Sequence, residues 1–227
     1  MRDAFHEDLD RVSDQLVEMT RLASSAMSRA TTALLDADIT LAESVIENDA
    51  HIDQLREELD MLAIQLLARQ QPVATDLRIV VTAMRMSSDI ERMGDLARHV
   101  AKVARLRFPH SAVPADIRAI ILQMGQVAER IVEKAGSIIA AKDAAAARTL
   151  EKEDDAMDDL HRELFVKLSD DWQHGTEAAV DITLVGRYYE RFADHAVSVA
   201  RRVVFLVTGE WEPESVTDHE EAEDSSR

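Results

Sequence analysis

Two five-residue stretches, Glu91-Arg92-Met93-Gly94-Asp95 and Glu190-Arg191-Phe192-Ala193-Asp194, repeat one pattern: Glu, Arg, a large apolar residue, a small residue, Asp. Positions four apart lie one turn from each other on a single helix face, so each stretch sets two carboxylates side by side. A second set, Asp49 with Asp53 and Asp154 with Asp158, has the same spacing. Like charges at this spacing cost a helix a few tenths of a kcal/mol per pair, and a cation between them would offset that repulsion. Carboxylates without cysteine or a histidine-containing ligand motif are hard oxygen donors. They suit divalent or trivalent ions such as Mg, Mn, Fe or Zn, bound singly or as a multinuclear cluster. Asp49, Asp53, Glu91, Asp95, Asp154, Asp158, Glu190 and Asp194 are therefore the candidate metal ligands.

The plainer reading is a solvated acidic face. With 44 acidic residues among 227, pairs four apart arise freely, as Asp53 with Glu57 and Asp155 with Asp159 show. What separates the eight candidates from that background is recurrence at equivalent register. Arg92 and Arg191 offer the main rival explanation, because a salt bridge would neutralise the same carboxylates without a metal.

The elements that must carry these residues are helices. Leu9, Val12, Leu16, Met19, Ala23, Ala26 and Ala30 alternate by three and four, which predicts a first helix over about residues 5–35. Asp36-Ala37-Asp38 ends it, and Asp38 caps a second helix whose seam runs Val45, Ile52, Leu55, Leu59, Leu62 and Leu66 up to Gln70-Gln71-Pro72. A third helix runs from Thr75 or Asp76 to about Arg107 and carries the first Glu-Arg motif. After the break Phe108-Pro109-His110-Ser111-Ala112-Val113-Pro114 the order begins again. Ile117 to Ile138 make a fourth helix, Asp143 caps a fifth, and a stop at His174-Gly175 with Thr176 as cap starts the sixth. A shift of 105 positions superimposes the second helix on the fifth, and a shift of 99 superimposes the third on the sixth. The six-residue difference is expected in the turn before the sixth helix. In antiparallel hairpins the middles of neighbouring helices meet, so four carboxylates converge in each half.

The expected fold is all-α: two tandem, pseudo-symmetric three-helix bundles, six long antiparallel helices in all, over residues 1–108 and 109–209. Residues 210–227, with eight acids against Arg227, are expected to form a disordered acidic tail. Composition agrees: 46% apolar residues built from Ala, Leu, Ile, Val and Met, 4% aromatics, six Gly and four Pro. The absence of cysteine, of a signal-like start and of any membrane-length apolar run points to a cytoplasmic protein. A net charge of −18 excludes a nucleic-acid binder, which needs a basic surface. There is no phosphate-cradling glycine loop and no nucleophile triad, so no enzyme is expected.

The Ser88-Asp89-Ile90-Glu91-Arg92-Met93-Gly94-Asp95 run, the turn Arg69-Gln70-Gln71-Pro72-Val73-Ala74-Thr75-Asp76-Leu77-Arg78, and Glu190-Arg191-Phe192-Ala193-Asp194-His195-Ala196 together resemble the PhoU family of bacterial phosphate-uptake regulators over about residues 1–210. The resemblance implies multinuclear metal clusters on the eight carboxylates. It also implies a non-enzymatic accessory, peripheral to the membrane only through its partners, that restrains the high-affinity phosphate transporter and keeps phosphate-starvation two-component signalling off. The implied partners are the ATPase subunit of the phosphate ABC transporter and the phosphate-sensing histidine kinase. Exposed apolar positions suggest a homodimer. Two other classes remain in view. A ferritin-like di-metal oxidase would need Glu-x-x-His motifs, and Gly94 and Ala193 stand where those histidines belong. A purely structural scaffold would use the carboxylates only to pair with arginines.

Overall fold

The spacing of apolar residues by three and four is realised as six long α-helices in a computed structural model that describes residues 2–70, 72–170 and 172–211. They are α1 Arg2–Asp36, α2 Ile39–Gln70, α3 Thr75–Arg107, α4 Arg118–Ala141, α5 Ala144–Ser169 and α6 Gly175–Thr208. Val12, Leu16, Met19, Ala23 and Ala30 of the α1 seam are buried, as are Val45, Ile52, Leu59 and Leu66 of α2.

The turns between the first two helices of each half are copies. Ala37 (φ 51) and Lys142 (φ 50) take the left-handed conformation, and the next residue's amide reaches back five positions, Asp38 to the Ala33 carbonyl at 3.1 Å and Asp143 to that of Ile138 at 3.2 Å. Each Asp then caps the following helix: Asp38 accepts from the Leu41 amide at 2.9 Å, and Asp143 from those of Ala145 and Ala146. The sixth helix starts differently from the sequence expectation. It begins at Gly175 after His174, without a side-chain cap, so Thr176 is not the capping residue. The six-residue offset also lies elsewhere. The links 71–74 and 170–174 are nearly equal in length, whereas α5 has 26 residues against 32 in α2. The second half is therefore shorter in its helix rather than in its link.

In each half the three helices pack on one another, and the halves join through two faces, α1 on α4 and α3 on α6. The four helices α1, α3, α6 and α4 close a ring; α2 lies outside the α1–α3 edge and α5 outside the α4–α6 edge, with no contact between them. The buried side chains form one continuous core through both halves. Close approach of α1 and α4 relies on glycine: a Cβ on Gly125 would stand 2.6 Å from Thr31 Cγ2, and one on Gly136 2.5 Å from Thr20 Oγ1. Polar contacts cross the same junctions. Tyr189, fully buried, shares a hydrogen bond of 2.7 Å with Thr31. Arg107 of α3 donates to Asp181 of α6 through Nε at 2.5 Å and Nη2 at 3.0 Å. The expected acidic tail lies, from residue 212 onward, outside the described residues.

Candidate functional site

The eight carboxylates gather in two groups of four, one on the α2–α3 seam and one on the α5–α6 seam, close enough to act on one another's ionisation. Facing helices are drawn together where the motif is smallest. A Cβ on Gly94 would come within 2.9 Å of Ile52 Cδ1 and 3.2 Å of Asp49 Oδ1, so glycine is what lets the Asp49 side chain lie against the α3 backbone. In the second half the motif's small residue is Ala193, and the close approach lies two turns earlier at Gly186, where an added Cβ would meet Leu164 at 2.6 Å and His161 at 3.3 Å.

The first group contains a cation. Asp49 is 5% exposed, and the Arg98 guanidinium lies between it and Asp95, with Nη1 2.5 Å from Asp49 Oδ2 and Nη2 2.5 Å from Asp95 Oδ1. The contact with Asp49 is Coulombic rather than an aligned hydrogen bond, since that Oδ2 has no hydrogen-bond partner. Burial still pushes the Asp49 carboxyl up to about 6, helped by Asp53, Asp95 and Glu91 and opposed by Arg98. Arg92 covers the outer side, 3.7 Å from Glu91 and 3.2 Å from Asp95. Glu91 is raised by burial and then by Asp95.

The second group is arranged otherwise. Burial pushes Asp154 up to about 7, and the charges that act on it most are all acidic: Asp194, Asp158, Glu190 and Asp155. Its Oδ1 is buried with no hydrogen-bond partner, and so is Nε2 of His161. Glu190 and Asp194 are both raised, first by burial. The nearest arginine contact is Arg187 to Glu190, on the solvent side, where the Arg187 side chain is 51% exposed. Among the described residues no three histidine or carboxylate side chains stand in a metal-holding arrangement. The donor chemistry of the second group nevertheless fits a hard cation, because the buried Asp154 oxygen has no hydrogen-bond partner and the charges that act on it most are acidic, whereas the unpartnered oxygen of Asp49 has Arg98 against it. The first group does not fit one, because a guanidinium fills the space.

Sequence reasoning missed Arg98, although it lies one turn beyond Asp95 on the motif's own helix. The signal was available in the repeat: the 99-position shift places Val197 opposite Arg98. His161 is likewise the counterpart of Arg56 at the 105-position shift. His99 and His195 are not part of either acidic group. His99 stacks on Tyr188 with ring centroids 5.2 Å apart. His195 reaches Asp89 of α3 at 3.3 Å, beside Arg202, which donates to the same carboxylate at 2.7 Å and with it holds Asp89 below the usual range against burial.

The repeated three-helix architecture has clear counterparts among known proteins. A family profile described as the PhoU domain matches residues 16–104 and again 121–203. The chain is 51% identical over 210 residues to the phosphate-specific transport system accessory protein PhoU homolog 2 of Mycobacterium tuberculosis, covering 92% of this chain and 99% of that protein. It is 49% identical over 218 residues to PhoU homolog 1 of Mycobacterium leprae, with 96% and 98% covered. Among solved structures it is similar to PhoU from Pseudomonas aeruginosa, with a TM-score of 0.80 at 30% identity over 91% of this chain and 100% of that one. The phosphate transport system regulatory protein PhoU from Streptococcus pneumoniae gives 0.81 at 25% identity over 92% and 99%. The names these relatives carry are those of transport accessory and regulatory proteins, not of enzymes. With both repeats matched in order along one six-helix chain, the protein belongs to the PhoU domain family.

Proposed function

We propose that this chain is a cytoplasmic regulator of phosphate homeostasis, a helical adaptor that restrains the high-affinity phosphate transporter and keeps phosphate-starvation two-component signalling off when phosphate is plentiful. The observation that carries this reading is the extent of the likeness, 51% identity spanning 99% of an accessory protein of phosphate-specific transport. Three features of the molecule support it. No helix among the described residues is long and apolar enough to cross a membrane, so a role at a transporter is reached through partners. The ring of four helices shares one core, which suits a rigid surface rather than a hinged catalytic cleft. Exposed apolar residues recur at equivalent register, Met61 and Val81 in the first half and Val166 and Val180 in the second. Such faces suit docking onto the transporter's ATPase subunit, the sensor kinase or a second copy of the chain.

Metal binding belongs to the same proposal. Asp154, Asp158, Glu190 and Asp194 would hold a hard divalent or trivalent cation, and the buried, unpartnered Asp154 oxygen is what supports it. A bound ion would supply Asp154 with the positive charge that Arg187 gives Glu190 from the solvent side, and would fix α5 against α6; the residues themselves only bind and orient.

Deletion of the gene in its host, with a phosphate-starvation promoter driving a reporter, tests the regulatory role. In phosphate-rich medium the reporter should rise several-fold and return to baseline on complementation. A reporter that stays at baseline in the deletion strain would refute the role, and failure to recover the ATPase subunit or the kinase with the purified chain would refute the adaptor mechanism.

A further inference from the structure

We infer that the two repeats are unequal as cation sites, because Arg98 supplies the first carboxylate group with a cation from within the chain and closes it to a metal ion. This rests on the metal-binding part of the proposal above and narrows it to one repeat.

Three observations lead there. Arg98 bridges the two helices that a metal would otherwise bridge, contacting Asp49 of α2 and Asp95 of α3 at 2.5 Å each. Its side chain is 29% exposed and that of Asp49 4%, so the guanidinium, though partly open to solvent, reaches the most buried carboxylate of the group. Finally, the equivalent position in the second half is Val197, which is buried and uncharged.

A guanidinium is permanently protonated, so Arg98 keeps its positive charge wherever the carboxylates are ionised and a metal ion could bind. For a metal to enter, Arg98 would have to leave both carboxylates and the ion would take the same two oxygens. One cation excludes the other by charge and by volume. Glu91 and Asp95 are further engaged by Arg92 from outside. In the second group Arg187 meets Glu190 from the solvent side, and Asp154 keeps a buried oxygen without a partner.

The test uses the full, untagged chain, stripped with chelator and then titrated with Mn²⁺, with bound metal counted by mass spectrometry. Wild type should lose all its manganese in Asp154→Asn with Asp194→Asn and none in Asp49→Asn with Asp95→Asn. Arg98→Val, which copies Val197, should gain sites and approach twice the wild-type count. Hydrogen exchange on wild type gives a second reading that needs no variant to fold: Mn²⁺ should slow exchange in the middle of α5 and α6 and leave α2 and α3 unchanged. Equal loss of metal from the two double variants, or equal protection of both hairpins, would overturn the inference and leave metal binding standing. No manganese in wild type but uptake by Arg98→Val would uphold the closure by Arg98 and refute metal binding by the second repeat. No uptake by either folded protein would overturn both.

Discussion

Arg107 joins the halves at the end of α3, and its replacement by methionine separates a structural ion pair from a decorative one. Asp181 is 5% exposed and accepts from two guanidinium nitrogens, at 2.5 and 3.0 Å. The other partner, Glu177, has a side chain 75% exposed. An exposed pair contributes at most about 1 kcal/mol. Removing one member of a buried pair costs about 3–5 kcal/mol because the remaining charge stays desolvated. Arg107 is itself 24% exposed, so water reaches part of the pair and the lower end of that range, about 3 kcal/mol, applies to Arg107→Met. For a chain of this size that is a fall in Tm of roughly 6–12 °C. Asp181→Asn should cost less, about 1–2 kcal/mol, since the guanidinium left behind can turn toward solvent. Glu177→Gln should lower stability by less than about 1 kcal/mol. Calorimetry on the two single variants and the double variant gives the coupling, expected at about 2 kcal/mol. A cost below about 1 kcal/mol for Arg107→Met, or strict additivity with Asp181→Asn, would refute the argument that burial of Asp181 makes this contact matter.

In chelator-containing buffer the protein should be more stable at pH 5.5 than at pH 8. An aspartate that titrates near 4 when unfolded and about 7 when folded holds an extra proton in the native state between those values, so stability falls as pH rises through that window and is level above it. The shift of Asp154 corresponds to roughly 4 kcal/mol at 1.36 per pH unit, reduced to about 2 kcal/mol by partial solvent access; thermal melts of wild type and Asp154→Asn check it, and the variant should lose most of the slope, the rest coming from the other raised carboxylates such as Asp49. Gly125→Ala should destabilise by about 1–3 kcal/mol despite alanine's better helix propensity, because the new Cβ would stand 2.6 to 3.2 Å from three atoms of the branched Thr31 side chain; denaturant melts measure it. Ala37→Gly should stabilise by up to about 1 kcal/mol, since glycine takes the left-handed turn conformation without the Cβ penalty. Tyr189→Phe should cost about 1 kcal/mol, because Thr31 keeps its bond to the Met27 carbonyl, whereas Thr31→Val strands the buried phenol and should cost more by urea denaturation.

The helices, their duplication and the caps at Asp38 and Asp143 were written in the chain. Periods of three and four, aspartates at 38 and 143 and the breaks at Pro72 and Phe108–Pro114 are local signals, and local geometry answers to them. The same locality explains the two misplacements. A missing segment leaves the same gap in an alignment whether it came from a turn or from a helix end, so the shortening of α5 was invisible. Thr176 has the chemistry of a cap, but the chain turns at His174 and Gly175 before it.

The acidic pairs were legible as well, because a spacing of four on a helix is a fact of one element and its recurrence needs only an alignment of the chain with itself. What those pairs face was not. Whether Arg98 points along its own helix or across to Asp49 depends on how closely α2 approaches α3, and Gly94 decides that by leaving no Cβ between them. Likewise α3 meets α6 and α1 meets α4 through buried side chains that look no different in sequence from those facing a helix's own bundle. A periodic pattern states that a face is apolar without naming its partner. Sequence therefore determined which helices exist and where carboxylates lie along them, while tertiary packing determined that Arg98 reaches the buried Asp49 in one acidic group and that the buried Asp154 is acted on mainly by other acids in the second, because desolvation and charge pairing are properties of neighbours distant along the chain.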